Sequence, residues 1–220
     1  MALRFEDMLE RLGSQGRDAV LSTYKLYEAG LIDSETFVDV ASELLQHINE
    51  RSAVFGHTSY AQVRAILLDT AAELPATVTP TASTSSGGLA QSLQTILEGE
   101  PEQIAGRLER LGYVLPIEST HSGYESALQA DGMVEGWQRG LNDDACQLCR
   151  WWSRDGRIWP KVQPFQTHRG CKCQQVPKIA SEDDVPITAL ERKIKRREEA
   201  IANRDRRSAE VRQLIQAGEL

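Results

Sequence analysis

Four cysteines and one histidine carry the most legible chemistry in this 220-residue chain. They read Cys146-x-x-Cys149, then His168-x-x-Cys171-x-Cys173, and all four cysteines of the chain fall in this one stretch. Sulfur and imidazole donors in two short knuckles, separated by a longer gap, are what a tetrahedral zinc site requires. Each knuckle lets two ligands of one turn converge, and the gap lets two chain segments meet at the metal. The spacing predicts one structural Zn2+ per chain, with Cys146, Cys149, His168, Cys171 and Cys173 competing for four places. In an extended strand Cys171 and Cys173 would point one way and His168 the other. A tight turn after His168 would instead bring His168 and Cys171 together. Disulfides, free buried thiols and a catalytic Cys–His pair are the competing readings. A reducing compartment disfavours the first, and no cysteine is set apart as an activated nucleophile with an orienting third group.

The residues around the knuckles are unusual for the chain. All four tryptophans, Trp137, Trp151, Trp152 and Trp159, lie here, and Phe165 follows. In a small metal-centred module such rings form the miniature core; the other use for them is stacking on nucleic-acid bases. Residues 137–178 hold 8 Lys/Arg against 3 Asp/Glu. Zinc with three or four thiolates subtracts one or two charges, so the module stays basic in a protein whose formal charge is −7. That permits phosphate contact.

The elements that must position these residues are mostly helical. Phe37, Val40, Ala41, Leu44, Leu45 and Ile48 recur at i, i+3, i+4, i+7, i+8, i+11, one apolar stripe. Asp33 and Ser34 suit its N-cap. Ala29-Gly30 ends a preceding helix that carries Val20, Leu21, Tyr24 and Tyr27. A third helix is expected from Ser59 to Leu74, with Val63, Leu67, Ala71 and Leu74 in register. The stretch 75–88, rich in Pro, Thr, Ser and Gly, reads as a linker. Beyond it come expected helices from Leu89 to Leu97, from Pro101 to Leu111 with Gly112 as a stop, and from Ser122 to about Trp137. A small irregular or hairpin-like β element then holds the metal.

From Ile187 onward the heptad seam is only half apolar and is broken by Arg197 and Arg204. This predicts a long, exposed, basic helix over 186–220 rather than a durable coiled coil. The expected division is therefore a helical region 1–74, a linker 75–88, a metal module 89–180 and the helix 186–220: mostly α, with a small α+β zinc-stapled part. Loss of Cys146 is expected to unfold residues 137–178 and spare the N-terminal helices.

Composition narrows the classes. Residues 1–100 hold 6 Lys/Arg against 14 Asp/Glu, whereas residues 186–220 hold 9 against 6, so the two ends offer surfaces for different partners. The charged start MALRFEDMLERLG lacks the apolar core of a secretory signal. Apolar runs such as Ala65-Ile66-Leu67-Leu68 are too short to span a bilayer. A soluble chain made in a cytoplasm, with no membrane partner, is expected. Four protein donors would also leave a zinc ion no open position, which argues against an enzyme such as a zinc nuclease.

One stretch carries a family resemblance. Trp137, Asp143, Asp144, Cys146-x-x-Cys149, Gly156, Pro164 and His168-Arg169-Gly170-Cys171-Lys172-Cys173 resemble the C-terminal motif of the MuF-like minor head (minor capsid) proteins of tailed bacteriophages. Tyr27-Glu28-Ala29-Gly30 is similar to a turn in actinophage versions. The match covers about 40 residues; Lys172 stands for the usual Arg, and Arg169-Gly170 for the usual Pro after His. The resemblance implies a virion component inside the capsid near the portal, present in the host cytoplasm during assembly. Its implied role is head morphogenesis, DNA packaging or DNA delivery, and its implied partners are the portal or major capsid protein. Contact with packaged DNA and self-association through the C-terminal helix are further expectations. A nucleic-acid-binding zinc module is the alternative.

Overall fold

Four helices precede the cysteine region. In a computed structural model of the chain, the structure describes residues 5–69, 86–142 and 144–180. Helix α1 spans Phe5–Glu28, α2 Ser34–Leu68, α3 Ser86–Leu97 and α4 Pro101–Ala130. α1 ends as its sequence predicts. Gly30 takes φ +65°, and the Gly30 and Leu31 amides donate to the Tyr27 and Leu26 carbonyls, a Schellman closure. Asp33 then caps α2, its carboxylate accepting from the Thr36 amide at 2.8 Å.

Several boundaries differ from expectation. The region from Ser59 is a continuation of α2, which ends at Leu68, and Ala71 and Leu74 lie outside the described residues. Residues 86–88 are the first turn of α3 rather than linker, and 70–85 lie outside the described residues. Gly112 does not stop α4, which runs on through Pro116 to Ala130. Trp137 belongs to a strand. The expected helix over 186–220 lies outside the described residues.

Glycine explains the longer helices. Pro116 has no N–H, so the Gly112 carbonyl four residues earlier lacks its helical donor. Gly112 packs backbone to backbone against Gly16 of α1: a Cβ at Gly112 would lie 2.7 Å from the Gly16 carbonyl oxygen, and one at Gly16 would overlap the Gly112 carbonyl. The same device recurs between α2 and α4. A Cβ at Gly56 would overlap the Thr120 carbonyl, and one at Gly123 the Ala53 carbonyl. Glycine was kept in these helix interiors, at a cost in propensity, because two backbones touch there.

Two apolar clusters result. The first joins Val20, Tyr24, Phe37, Ala41, Leu45, Leu89, Leu93, Ile104 and Leu108. The predicted α2 stripe is half right. Phe37, Ala41 and Leu45 are buried, whereas Val40 and Leu44 are exposed and the buried face continues through Ser42, Asn49, Ser52, Ala53 and Gly56. The second cluster joins Tyr60 of α2 and Tyr124 and Leu128 of α4 to Trp137, Phe165 and three of the cysteines, with Phe5 of α1 against it. Residues of α1, α2 and α4 therefore share one core with the cysteine region, and residues up to Ile179 form one compact unit. Unfolding of 137–178 that leaves α1, α2 and α4 untouched does not follow from this packing.

The β element is a three-stranded antiparallel sheet in the order β2-β1-β3: β1 Val134–Gly140, β2 Trp159–Pro160 and β3 Gln174–Ile179. Trp137 of the central strand pairs with Trp159 on one side and Pro177 on the other. A register shift between Val134 and Gly136 turns both Gly136 and Trp137 inward. The turn into β1 is set by Asp131, whose carboxylate accepts from the Met133 amide (2.8 Å), Tyr60 Oη (2.6 Å) and Arg64 Nε (2.7 Å). No helix among the described residues is long and apolar enough to cross a membrane.

Candidate metal centre

Cys146 is the N-cap of a short helix, α5 (Gln147–Ser153), and Cys149 lies in its first turn. One helical turn sets their sulfurs on one side. Amide N–H groups at that terminus, Cys149's foremost, hold the exposed Cys146 thiol below its ordinary range. Arg150 Nε donates to the Ala145 carbonyl at 2.9 Å and fixes the entry to α5.

The second knuckle is the tight turn. Gly170 takes φ +70° and the Cys171 amide donates to the His168 carbonyl at 2.9 Å. That turn needs a glycine at its third position, which Gly170 supplies. It lets His168 and the following cysteines face the first knuckle together.

Two triads of donor atoms form: Cys146, Cys149 and His168; and Cys149, Cys171 and Cys173. Within each, the ligand atoms lie within 4.8 Å of one another, and Cys149 belongs to both. Cys146 Sγ stands 3.2 Å from His168 Nε2, and Cys149 Sγ 3.6 Å from Cys171 Sγ. All five predicted residues are thus brought together in a cluster that could hold a metal ion. Cys149, Cys171 and Cys173 are buried, Cys146 is exposed and His168 is half-buried.

The histidine is oriented for ligation. Its Nδ1 lies 3.1 Å from the Arg169 carbonyl. A carbonyl only accepts, so the proton sits on Nδ1 and the Nε2 lone pair faces Cys146. The ring stacks on Trp152, with centroids 6.4 Å apart.

Sequence reasoning missed Arg139, which supplies the strongest test of fit. Its side chain is buried, with the guanidinium 4.1 Å from the Phe165 ring centre and 5.2 Å from that of Trp152. Nη1 donates to Cys149 Sγ at 3.8 Å and to Cys171 Sγ at 3.9 Å, and Nη2 donates to the Gln166 carbonyl. No carboxylate pairs with it among the described residues. A buried cation needs an anion, and sulfur supplies one only as thiolate. Burial pushes the Cys149 thiol up to about 12. The hydrogen bond to Cys171, then burial, push Cys173 up as well. Cys171, by contrast, is held below its ordinary range by the hydrogen bond from Cys173, and a dication among these sulfurs would let Cys149 and Cys173 ionise as well. Residues and charge fit a thiolate–imidazole metal site with Arg139 as its outer cation.

His121 of α4 was also missed, because nothing near it in sequence marks it. It is buried, and burial pushes its pKa down to about 4. The neutral ring presents Nε2 at 2.8 Å to the Cys171 carbonyl, to which it donates. Asn142 Oδ1 accepts from Cys173 Sγ at 3.2 Å. Glu10 of α1 accepts from Tyr113 Oη at 2.8 Å and from Lys172 between the two final cysteines. The knuckle is thus tied to α4 by His121 and to α1 by Lys172.

The tryptophans divide. Trp137 is core, its Nε1 donating to the Gln163 carbonyl at 3.0 Å. Trp151 is 58% exposed.

No family model, curated protein or solved structure matches the chain.

Proposed function

We propose that the cluster holds one structural Zn2+ and that the chain is a non-enzymatic structural protein of a phage head, of the MuF-like minor head type. The observation that carries the metal reading is the convergence of Cys146-x-x-Cys149 with His168-x-x-Cys171-x-Cys173, the same residues on which the resemblance rests. At a Zn–S distance of ~2.3 Å, two sulfurs of a regular tetrahedron stand about 3.8 Å apart, and Cys149 and Cys171 stand at 3.6 Å. Five protein donors for four places leave no position for substrate, which favours a structural over a catalytic ion. The role of the ion is to close a small sheet onto the ends of α2 and α4. The MuF-like reading places the chain inside the capsid near the portal, in contact with portal or major capsid protein, during assembly or DNA delivery.

Elemental analysis of protein purified without added metal tests the first part: one zinc per chain is expected, and less than about a tenth of an equivalent rejects it. Immunodetection in purified virions, and co-sedimentation with portal or capsid subunits, test the second. Absence from virions rejects the head-protein reading and leaves the zinc reading intact.

A further inference from the structure

Beside the metal cluster lies a cavity of about 250 Å3, bordered by Trp137, Arg139, Trp151, Trp152, Arg154 and Trp159. All four tryptophans of the chain line it. It is smaller than the roughly 300–1,000 Å3 of a drug-sized site, and it suits one planar ring system. Its walls are indole rings and guanidinium planes. Arg154 lies 4.3 Å from the Trp151 ring centre, and Arg157 4.4 Å from that of Trp159. Arg154 reaches back over Trp151 because α5 ends in left-handed residues, with φ 47° at Arg154, 54° at Asp155 and 84° at Gly156. Two of the three are not glycine, a conformation that L-residues resist.

Two further observations point to an occupant. Arg139 borders the cavity as a fixed cation, its Nη2 donating to the Gln166 carbonyl. The rim is hydrophobic and cationic together. Trp151 is 58% exposed and borders the cavity beside Arg154, and residues 137–178 carry 8 Lys/Arg against 3 Asp/Glu. Isolated apolar side chains at a surface need no explanation, but an exposed Trp beside a ring-lined cavity and arginines does.

We propose that this cavity takes an unpaired base of single-stranded nucleic acid. The base stacks on indole, and the flanking phosphates meet Arg154 and Arg157. Stacking on aromatic and guanidinium planes combined with a cationic track is how single strands are held without sequence preference. A duplex keeps its bases stacked on one another and cannot offer one to the cavity without flipping it out. The inference stands apart from the virion reading: its test gives the same answers whether or not the chain is packaged.

The test uses the full chain as purified, titrated with oligothymidylate and with a duplex of equal length, and read by tryptophan fluorescence. Quenching by the single strand, tighter than by the duplex, is expected. Trp151→Ala removes an exposed ring that the core does not use, and is expected to weaken binding roughly 5- to 150-fold. Arg154→Gln is expected to lower the slope of log affinity against log salt by about 0.7. Arg51→Gln, an exposed charge on α2, is expected to change neither. The thermal unfolding midpoint of each variant shows that the module remains folded. Equal binding of single strand and duplex, no quenching at low salt, or an unaltered Trp151→Ala variant would each overturn the proposal. So would stronger quenching by a proline-rich peptide than by the oligonucleotide.

Discussion

The two apolar clusters of this chain are built on different principles. Around Phe37, Leu45, Leu93 and Leu108, helices meet through aliphatic and aromatic side chains, and apolar burial dominates. Around Trp137, Phe165 and the cysteines, the sheet is too small to bury a comparable core. There, close glycine contacts, a carboxylate hub at Asp131, a buried arginine and the cysteine cluster take over. The comparison teaches that one chain can rest on area at one end and on specific polar contacts and a cysteine–histidine cluster at the other, with α2 and α4 reaching both.

The largest expected effect breaks the second region alone. Replacing Cys149 by Ser removes the donor common to both triads and leaves Arg139 with less negative charge to face; under the proposed zinc reading a chelator strikes the same region. Structural zinc in small peptides contributes about 10–16 kcal/mol of apparent binding free energy, comparable with or above the roughly 5–15 kcal/mol net stability of a whole domain. Near-UV circular dichroism of the tryptophans should be lost. Hydrogen exchange should accelerate at Tyr124–Leu128, while residues near Leu108 stay protected. Equal loss of protection at both sites would show that the clusters are one cooperative unit.

The first region is broken by a cavity. Phe37→Ala is expected to cost about 3–5 kcal/mol, because Phe37 is fully buried between Tyr24 and Tyr27. Zinc content should not change. Between the two regions lies Gly123→Val. Its new side chain meets the Ala53 backbone, which cannot rotate away, so a cost of about 3 kcal/mol is expected, read as a lowered Tm. A Gly123→Val protein as stable as the parent would mean that α2 and α4 separate freely there.

These cases show what was readable in the sequence. The five metal candidates were, because ligand chemistry restricts residue type and spacing together. The Gly30 stop and the Asp33 cap were also readable, as local events. The helix ends near 68 and 130, and the run of α4 through Gly112, were not. Gly112 and Gly123 carry the ordinary mark of a helix stop, and only the backbone of another helix shows that they are contacts. Asn49, Ser52 and Ser59 face inward for the same reason, so a stripe sought among apolar residues alone drifted onto the exposed Val40 and Leu44. Arg139 and His121 were unreadable because their partners lie far away in sequence: Cys171 is 32 residues from the first and 50 from the second.

Asp131→Asn sharpens the comparison through pH. Burial alone raises the Asp131 carboxyl, but hydrogen bonds from Tyr60, Met133 and Arg64 outweigh it, and the net shift is downward. A carboxyl whose folded pKa is depressed stabilises above its unfolded pKa, near 3.9. That contribution is lost as pH falls through the lower folded value. At neutral pH the variant should lose about 2 kcal/mol. As pH drops below about 4, parent and variant stabilities should converge. A gap that stays constant through acid would mean that the charge of Asp131 is not what joins α2 to β1.

The smallest effect concerns how the second knuckle is fastened to α1. Lys172 and Glu10 pair, but their side chains remain 32% and 47% exposed. Glu10 is held low by the Lys172 hydrogen bond first and that of Tyr113 second. Exposed pairs typically contribute about 0.2–1 kcal/mol and are screened by salt. A double-mutant cycle with Lys172→Met and Glu10→Gln should give a coupling in that range at low salt that vanishes at high salt. If coordinate bonds hold the knuckle, neither variant should lower zinc content. If zinc content falls with Lys172→Met, the ion pair positions Cys171 and Cys173, and the division between a region held by the cysteine cluster and one held by burial must be redrawn to include α1.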